Sequence, residues 1–283
     1  LTSLVQGGRE YRVRSGEGAA ASLAVSLVLF RPDPLLLRST LDALVTACRV
    51  AGVVPELFLI DNGGSDAALA GLALPEGWPV RLIRGHGNVG FGRGHNLSLA
   101  GSATDGFHLI LNPDLDLAPE AIREACAFLR AHPDCGLLAP AVQWDDGRTQ
   151  YLCKRVPTVF DLFLRGFAPG WLRRRFAARM ARYEMHDLIG DRVVWDPPLV
   201  SGACMFFRAD VLRRLGGFDP RFFLYFEDYD LSLRAARMTR LAYAPTVKVV
   251  HHGGHAARKG WHHIGLFVRG AALFFRLHGW RWF

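Results

Sequence analysis

The tract Phe222-Phe-Leu-Tyr-Phe-Glu227-Asp228-Tyr-Asp230-Leu231 sets three carboxylates directly behind five apolar or aromatic side chains and ahead of a helix-like run. A carboxylate partly withdrawn from water gains proton affinity, whereas a neighbour that keeps its hydrogen bonds stays ionised, so adjacent acids can divide general acid and base roles. A solvated helix start would also place acids here, because the positive end of the helix dipole favours them. Two further signals tip the balance towards chemistry: Asp61-Asn62 and Asn112-Pro113-Asp114 each follow a strand-like apolar run earlier in the chain.

Asn112-Pro113-Asp114 puts a carboxylate on a stiff turn, within reach of a hard divalent cation. Mg²⁺ or Mn²⁺, held by one or two carboxylates plus diphosphate oxygens, is the expected chemistry. An Asx or proline turn is the plainer account of the same residues, and Asp116 is a second acid nearby. In Asn88-Val-Gly90-Phe91-Gly92-Arg-Gly94-His-Asn96, three alternating glycines let backbone N–H groups approach an anionic or planar ligand before a helix begins. The spacing fits neither the dinucleotide fingerprint nor the P-loop, and an ordinary strand-to-helix turn would use the same glycines. His251-His252 follows the apolar run Val247-Lys-Val-Val250. One imidazole helping to hold a metal diphosphate is the narrow reading, since the chain has no His-Glu-x-x-His helix or paired-cysteine frame for zinc. His255, His262 and His263 are read as structural.

The elements that must position these groups are legible as alternating strands and helices. Strands are expected over 22–30, 56–61, 80–83, 108–111 and 202–207. Helices are expected over 34–50, 67–72, 94–102, 119–132 and 209–215, the first with Leu37, Leu41, Leu44 and Val45 on one face. Such alternation predicts an α/β fold, an open and mainly parallel sheet flanked by helices. In such sheets ligands sit beyond the carboxyl ends of the strands, where Asp61, the loop 88–96 and Asp114 all fall.

Half of the 283 residues are hydrophobic, enough for a large core; net charge is +8 and pI about 9.7. That excess of positive charge points to an anionic partner: nucleotide, phosphate, nucleic acid or an acidic membrane surface. Five scattered cysteines, odd in number and without a C-x-x-C pair, argue against a disulfide framework and fit reduced thiols in a cytosolic compartment. The apolar run 19–30 is too short to span a bilayer and lacks the flanks of a signal peptide. Residues 1–21 are read as an extension without assigned function. An arginine cluster (Arg165, Arg173, Arg174, Arg175, Arg179, Arg182) is interleaved with aromatics, and residues 262–283 mix aromatics with Arg269, Arg276 and Arg281. An interfacial helix on an anionic membrane and a helix packed on the core are both consistent with that C-terminal pattern.

Taken together, and in this order, the motifs Leu59-Ile-Asp-Asn-Gly-Gly-Ser-Asp66, Asn88 to Asn96, Leu111-Asn-Pro-Asp114, Ser201-Gly-Ala-Cys-Met205, Gly216-Gly-Phe-Asp219, Phe223 to Leu231 and Val250-His-His-Gly-Gly254 resemble family 2 glycosyltransferases. The similarity covers roughly residues 22–283 and is to the bacterial rhamnosyltransferase-like branch that builds O-antigen and related surface glycans.

The resemblance implies a glycosyltransferase A-type fold with a Rossmann-like sheet, and a C-terminal helix over 262–283. It implies a catalytic domain over 22–261, with a nucleotide-sugar half (22–135) and an acceptor half (136–261). It further implies an inverting enzyme with a divalent cation, a nucleoside diphosphate sugar donor (dTDP-rhamnose is expected) and a polyprenyl-diphosphate-linked saccharide acceptor. The expected location is the bacterial cytoplasm, peripheral on the inner face of the membrane, with no nucleic-acid partner. Carried over by residue, Asp228 is the base and Glu227 its catalytic neighbour. Asp61, Asn62, Asn88, Gly90, Phe91, Gly92, Gly94, Asn96 and Asn112 line the donor site. Asp114 and His251, with His252 as fallback, meet the metal. Ser201, Gly202, Ala203 and Trp195 meet the acceptor. Asn112 departs from the family's Asp-x-Asp by replacing its first Asp. The same acids would also suit a metal-dependent phosphohydrolase or nucleotidyltransferase, although that chemistry calls for more metal carboxylates.

Overall fold

The structure is a computed structural model that describes residues 22–72, 74, 76–101, 105–253 and 260–283. The expected extension 1–21, Gly254 and His255 lie outside the described residues. In chain order the elements of the first half are β1 (Leu23–Leu29), α1 (Pro34–Ala51), β2 (Glu56–Asp61), α2 (Asp66–Ala70), β3 (Val80–Ile83), α3 (Phe91–Leu99), β4 (Phe107–Leu111), β5 (Leu115–Leu117) and α4 (Ala121–Ala131). There follow β6 (Cys135–Trp144), β7 (Thr149–Gln150), β8 (Cys153–Lys154), α5 (Val159–Gly166), α6 (Gly170–Arg175), α7 (Ala177–Tyr183), β9 (Val194–Trp195), β10 (Leu199–Val200) and β11 (Cys204–Arg208). The chain closes with α8 (Ala209–Arg214), α9 (Glu227–Ala235), β12 (Arg240–His251) and α10 (Gly260–His278).

The main sheet runs β3-β2-β1-β4-β11-β6-β12-β5, with β7 on β6 and β9 on β12. β3, β2, β1 and β4 are parallel, as are β6 and β12; β11 is antiparallel to both β4 and β6, and β5 to β12. The sheet is therefore mixed, and its antiparallel strands have a positional consequence. Their amino ends reach the same edge as the carboxyl ends of the parallel strands, so the residues before β11 and β5 join those after β1, β2, β4 and β12. The expected division between residues 135 and 136 falls at the first residue of β6, inside this common sheet.

Every residue of β1 is buried, as a strand covered by helices on both faces requires. Ahead of α1, Asp33 accepts from the N–H groups of Leu35 (2.8 Å) and Leu36 (3.2 Å), with Pro34 at the first helical position. Gly52 closes the helix at φ 66°. Leu37, Leu41 and Leu44 then face the core at the expected spacing, each such burial stabilising by about 1.5–3 kcal/mol. β6 and β12 lie outside the strands expected from sequence: Pro140 and Pro245 interrupt their apolar runs, and proline reads against a strand. In the structure a register shift between Ala244 and Lys248 absorbs the second interruption. All five cysteines are free and buried, and no described helix is long and apolar enough to cross a membrane.

Candidate active site

At the carboxyl end of β2, Asp61 is buried and accepts from the Gly63 N–H (2.8 Å) and from Arg84 (3.2 Å). The next residue, Asn62, donates through Nδ2 to the Gly90 carbonyl (3.0 Å) and to Asn88 Oδ1 (3.3 Å). Asn88 Oδ1 also accepts from the Gly90 N–H at 3.0 Å. These bonds pin the glycine loop to the strand end.

The glycines of that loop allow close packing. A Cβ at Gly90 would collide with the Phe223 carbonyl, one at Gly92 would stand 2.6 Å from Phe218 Cβ, and one at Gly94 2.8 Å from a Val28 methyl. The space at each Cβ position is taken by the protein itself, so these glycines let α3 pack tightly on β1 and the 218–223 segment. Asn96 is likewise occupied: its Nδ2 donates to the Phe218 carbonyl (2.7 Å) and its Oδ1 accepts from the Phe218 N–H (2.8 Å). Phe91 faces the site edge, its ring 2.9 Å from where a Gly202 Cβ would stand.

Beyond β4, the Asn112 N–H donates to the Ala203 carbonyl at 2.9 Å. Gly202, one residue earlier on the same loop, donates its N–H to Asp228 Oδ2 at 2.8 Å. The expected acceptor residues Gly202 and Ala203 thus tie the β4 edge to the acid on α9 through their backbones, and Ser201 donates its N–H to the Leu152 carbonyl (3.0 Å). Trp195 is not brought here. It packs between Phe128, His132 and Arg240, whose guanidinium carbon lies 4.3 Å from a Trp195 ring centroid. Its strand pairs with Ala242 near the start of β12, remote from His251 at the other end.

The three acids of the 222–231 tract separate into three environments. Asp230 is buried against Arg234 (2.7 Å) and His278 (2.9 Å), and Arg234 also holds the Leu215 and Gly217 carbonyls. Its role is architectural. Asp228 accepts from the N–H groups of Gly202 and Tyr229 (2.9 Å); burial raises its pKa, and those donors, with Arg165, pull it back. Glu227 is buried with an unpartnered Oε2. Burial, then the neighbouring Asp228 charge, pushes its pKa well above the ordinary value. In this coupled pair Glu227 keeps the proton and Asp228 holds the charge.

Tyr225 and Phe226, immediately before these acids, both adopt left-handed backbone, at φ 72° and 69°. Such conformations cost about 1–3 kcal/mol each and persist where packing over-determines them. The packing comes from α10. Phe226 sits against Phe267 and Phe274, with ring centroids at 5.1 and 5.7 Å, and Tyr225 Oη lies 3.0 Å from His263 Nδ1. The C-terminal helix is therefore packed on the core along this face, with Phe274 and Phe275 buried.

On the far side of Asn112, β5 and β12 bring Asp114 and His251 together: Leu115 pairs with His251, and the His252 N–H donates to the Asp114 carbonyl. His251 Nε2 lies 3.4 Å from Asp114 Oδ1, and neither atom has a hydrogen-bond partner. The other ring nitrogen, Nδ1, donates to Gln150 Oε1 at 2.7 Å, which leaves a lone pair on Nε2 facing the carboxylate, while the ring stacks on Trp144. An acceptor atom aimed at a carboxylate oxygen, both buried, fits a divalent cation between or beside them, with the second ring nitrogen fixing the tautomer. A Cβ at Gly253 would overlap the Asp114 carboxylate, so only glycine allows this approach. Among the described residues there is no group of three His, Cys, Asp or Glu side chains able to hold a metal.

His252 is committed elsewhere. Its Nε2 stands 2.9 Å from Asp116 and its Nδ1 contacts Asp145. Burial opposes its charge, but the two carboxylates outweigh burial and raise its pKa. A carboxylate thus stands at each of its ring nitrogens. Gln150, Trp144 and Asp145 were not legible as site residues, because nothing in their local spacing marks them; they arrive through β6 and β7.

The mixed α/β sheet described above belongs to a known class. The chain belongs to the family described as glycosyltransferase like family 2, whose model matches residues 28–261. It is 28% identical over 249 residues to the N-acetylglucosaminyl-diphospho-decaprenol L-rhamnosyltransferase of Mycobacterium tuberculosis, covering 83% of this chain and 77% of that protein. It is 25% identical over 182 residues to rhamnosyltransferase WbbL of Escherichia coli, covering 61% of this chain and 64% of that one. Among solved structures, GalNAc-T7 with UDP, GalNAc and Mn²⁺ aligns at TM-score 0.61 and 13% identity, over 85% of this chain. This chain spans 44% of GalNAc-T7's length. The fold is the nucleotide-sugar-binding glycosyltransferase A type, and the protein is a glycosyltransferase.

Proposed function

We propose that this glycosyltransferase inverts the anomeric centre while moving rhamnose from a dTDP-linked donor to a polyprenyl-diphosphate-linked saccharide. The observation that carries the reading is the arrangement around Asn112. Its backbone is bonded to the loop that holds Asp228, and two residues later Asp114 meets His251. An inverting transfer needs one base for the acceptor hydroxyl proton and a counter-charge for the departing diphosphate.

Asp228, held ionised by two backbone donors, takes the proton from the acceptor hydroxyl, and Glu227 stays protonated beside it. Asp114 and His251 would hold Mg²⁺ or Mn²⁺, which supplies positive charge to the diphosphate oxygens as the bond to the sugar breaks. Asn62, Asn88 and Asp61 border the donor side. Support for the sugar and the acceptor comes from the two rhamnosyltransferase relatives, one of which carries diphospho-decaprenol in its name. A different donor sugar with the same chemistry is the alternative.

The protein docks peripherally on the anionic inner face of the cytoplasmic membrane. Arg173, Arg174 and Arg175 are exposed on α6 beside Trp171, and Trp280, Trp282 and Phe283 are exposed after α10. Arg179 is excluded from that surface, since it binds Asp161 at 2.5 Å and stacks on Phe160.

A calorimetric panel of dTDP-, UDP- and GDP-sugars with and without Mn²⁺ tests the donor. Selective, metal-enhanced binding of dTDP-rhamnose is expected, and preference for another nucleotide sugar would replace it. Flotation with anionic vesicles at low salt tests docking: protein left wholly in solution would remove the membrane surface.

A further inference from the structure

Arg165, on α5, is a cation that the scheme above leaves without a substrate. Its Nη1 lies 3.4 Å from Tyr229 Oη, which is 2.8 Å from Tyr183 Oη, and both tyrosines are buried. Tyr229 directly follows Asp228 in the first turn of α9, so the guanidinium stands one residue from the base. Arg165 nevertheless remains exposed to solvent, and among the described residues no carboxylate lies within 4.0 Å of it.

A second cation lies behind it. Lys154 is buried on β8, its Nζ bonded to the Tyr151 carbonyl (2.7 Å) and to Glu184 (3.2 Å). Burial, then the Arg165 charge, brings its pKa down to about 8. β8 pairs with β10, which leads straight into the Ser201-Gly202 loop over Asp228. Glu184 pairs with Lys154 and, through its other oxygen, with His186 (3.2 Å), and makes no ion pair with Arg165. An arginine accessible to solvent, hydrogen-bonded to a tyrosine hydroxyl and without an ion-pair partner among the described residues, can take phosphate oxygens.

Around the end of α5 the chain exposes aromatic side chains. Phe163, Phe167 and Trp171 are 42, 45 and 65% exposed, and Phe167 meets Phe267 of α10 edge-on at 6.2 Å. In a saccharide joined to a lipid by diphosphate, the first phosphate lies about one sugar ring from the hydroxyl that reacts.

Resting on the acceptor class proposed above, we infer that Arg165 binds the diphosphate of the lipid-linked acceptor, with the prenyl chain leaving over Phe163, Phe167 and Trp171. This is a substrate-binding role, separate from both the donor's diphosphate at Asp114 and the arginines of α6.

The test compares two acceptors carrying the same sugar, a short-prenyl diphosphate N-acetylglucosamine and a phosphate-free octyl N-acetylglucosaminide, with detergent and no vesicles. Arg165→Gln should lower kcat/KM on the diphosphate acceptor about 10- to 100-fold more than on the glycoside, chiefly through KM. Arg165→Lys should recover part of that difference. Equal losses on both acceptors, or none, would overturn the inference and mark Arg165 as structural. An effect that arises only when anionic vesicles are added would assign the phosphate to membrane headgroups and also overturn it. Wild-type protein that uses neither acceptor would instead defeat the acceptor class itself, and Arg165's role with it.

Discussion

The Gly202 N–H donates to Asp228 Oδ2 at 2.8 Å, joining a loop before β11 to the first turn of α9 across 26 positions of sequence. A Cβ at Gly202 would stand 3.2 Å from Asp228 Cβ and 2.9 Å from the Phe91 ring. The contact orients the carboxylate and supplies a donor that favours its ionised form. Loss of the base should therefore be a loss of chemistry rather than of binding. Asp228→Asn is expected to cut kcat by about 10²- to 10⁴-fold while donor affinity, read by calorimetry, stays near normal. Near-normal turnover would remove Asp228 from the role.

Glu227 and Asp228 should separate under mutation and pH. Asp228's pKa is raised by burial, so kcat/KM should fall on acidification at a pH above the ordinary aspartate range. Glu227 is already protonated when Asp228 titrates, so Glu227→Gln should keep kcat within about tenfold and leave that acidic limb in place. A Gln variant as inactive as Asp228→Asn would reverse the proton assignment.

The metal pair makes a further demand. His251→Ala should raise the Mn²⁺ concentration for half-maximal activity, and Gln150→Ala, which frees Nδ1, should do so by about 10- to 100-fold through loss of the fixed tautomer. His252→Asn should change it much less, since that imidazole serves Asp116 and Asp145. Equal dependence on His251 and His252 would contradict this geometry.

Gly270 is where α10 meets the strained turn: a Cβ there would stand 2.7 Å from the Tyr225 carbonyl oxygen. Gly270→Val should displace Tyr225-Phe226 and lower kcat, with donor affinity retained and melting still cooperative. An unchanged kcat would show that the turn does not depend on this contact.

Beneath α3, Ser26 Oγ lies 2.8 Å from His95 Nδ1 and 3.0 Å from His108 Nε2 in the buried core. Burial lowers their pKa values to about 3 and about 4. The unfolded chain takes up these protons below its ordinary value near 6.5 while the folded chain does not, so stability is full above that pH and lost as pH falls towards 4. The slope should approach about 1.4 kcal/mol per pH unit for each histidine. Melting temperatures that do not drop between pH 7 and 5 would contradict the buried pair.

Local sequence was enough for β1, β2, β3, β4, α1 and the acids at their ends, because apolar periodicity and glycine punctuation are properties of short segments. It was enough, too, to single out Glu227-Asp228 and Asp114 as acids in unusual settings. What surrounds each acid and its neighbours was decided only in three dimensions. Asp230 is spent on Arg234 and His278, Asn96 on Phe218, and His252 on two carboxylates, while Trp195 lies at the other end of β12. These outcomes depend on antiparallel β11 and β5, which carry Gly202 and Asp114 to the edge where the parallel strands end. Strand direction within a sheet is set by long-range pairing, and no local pattern in the chain encodes it.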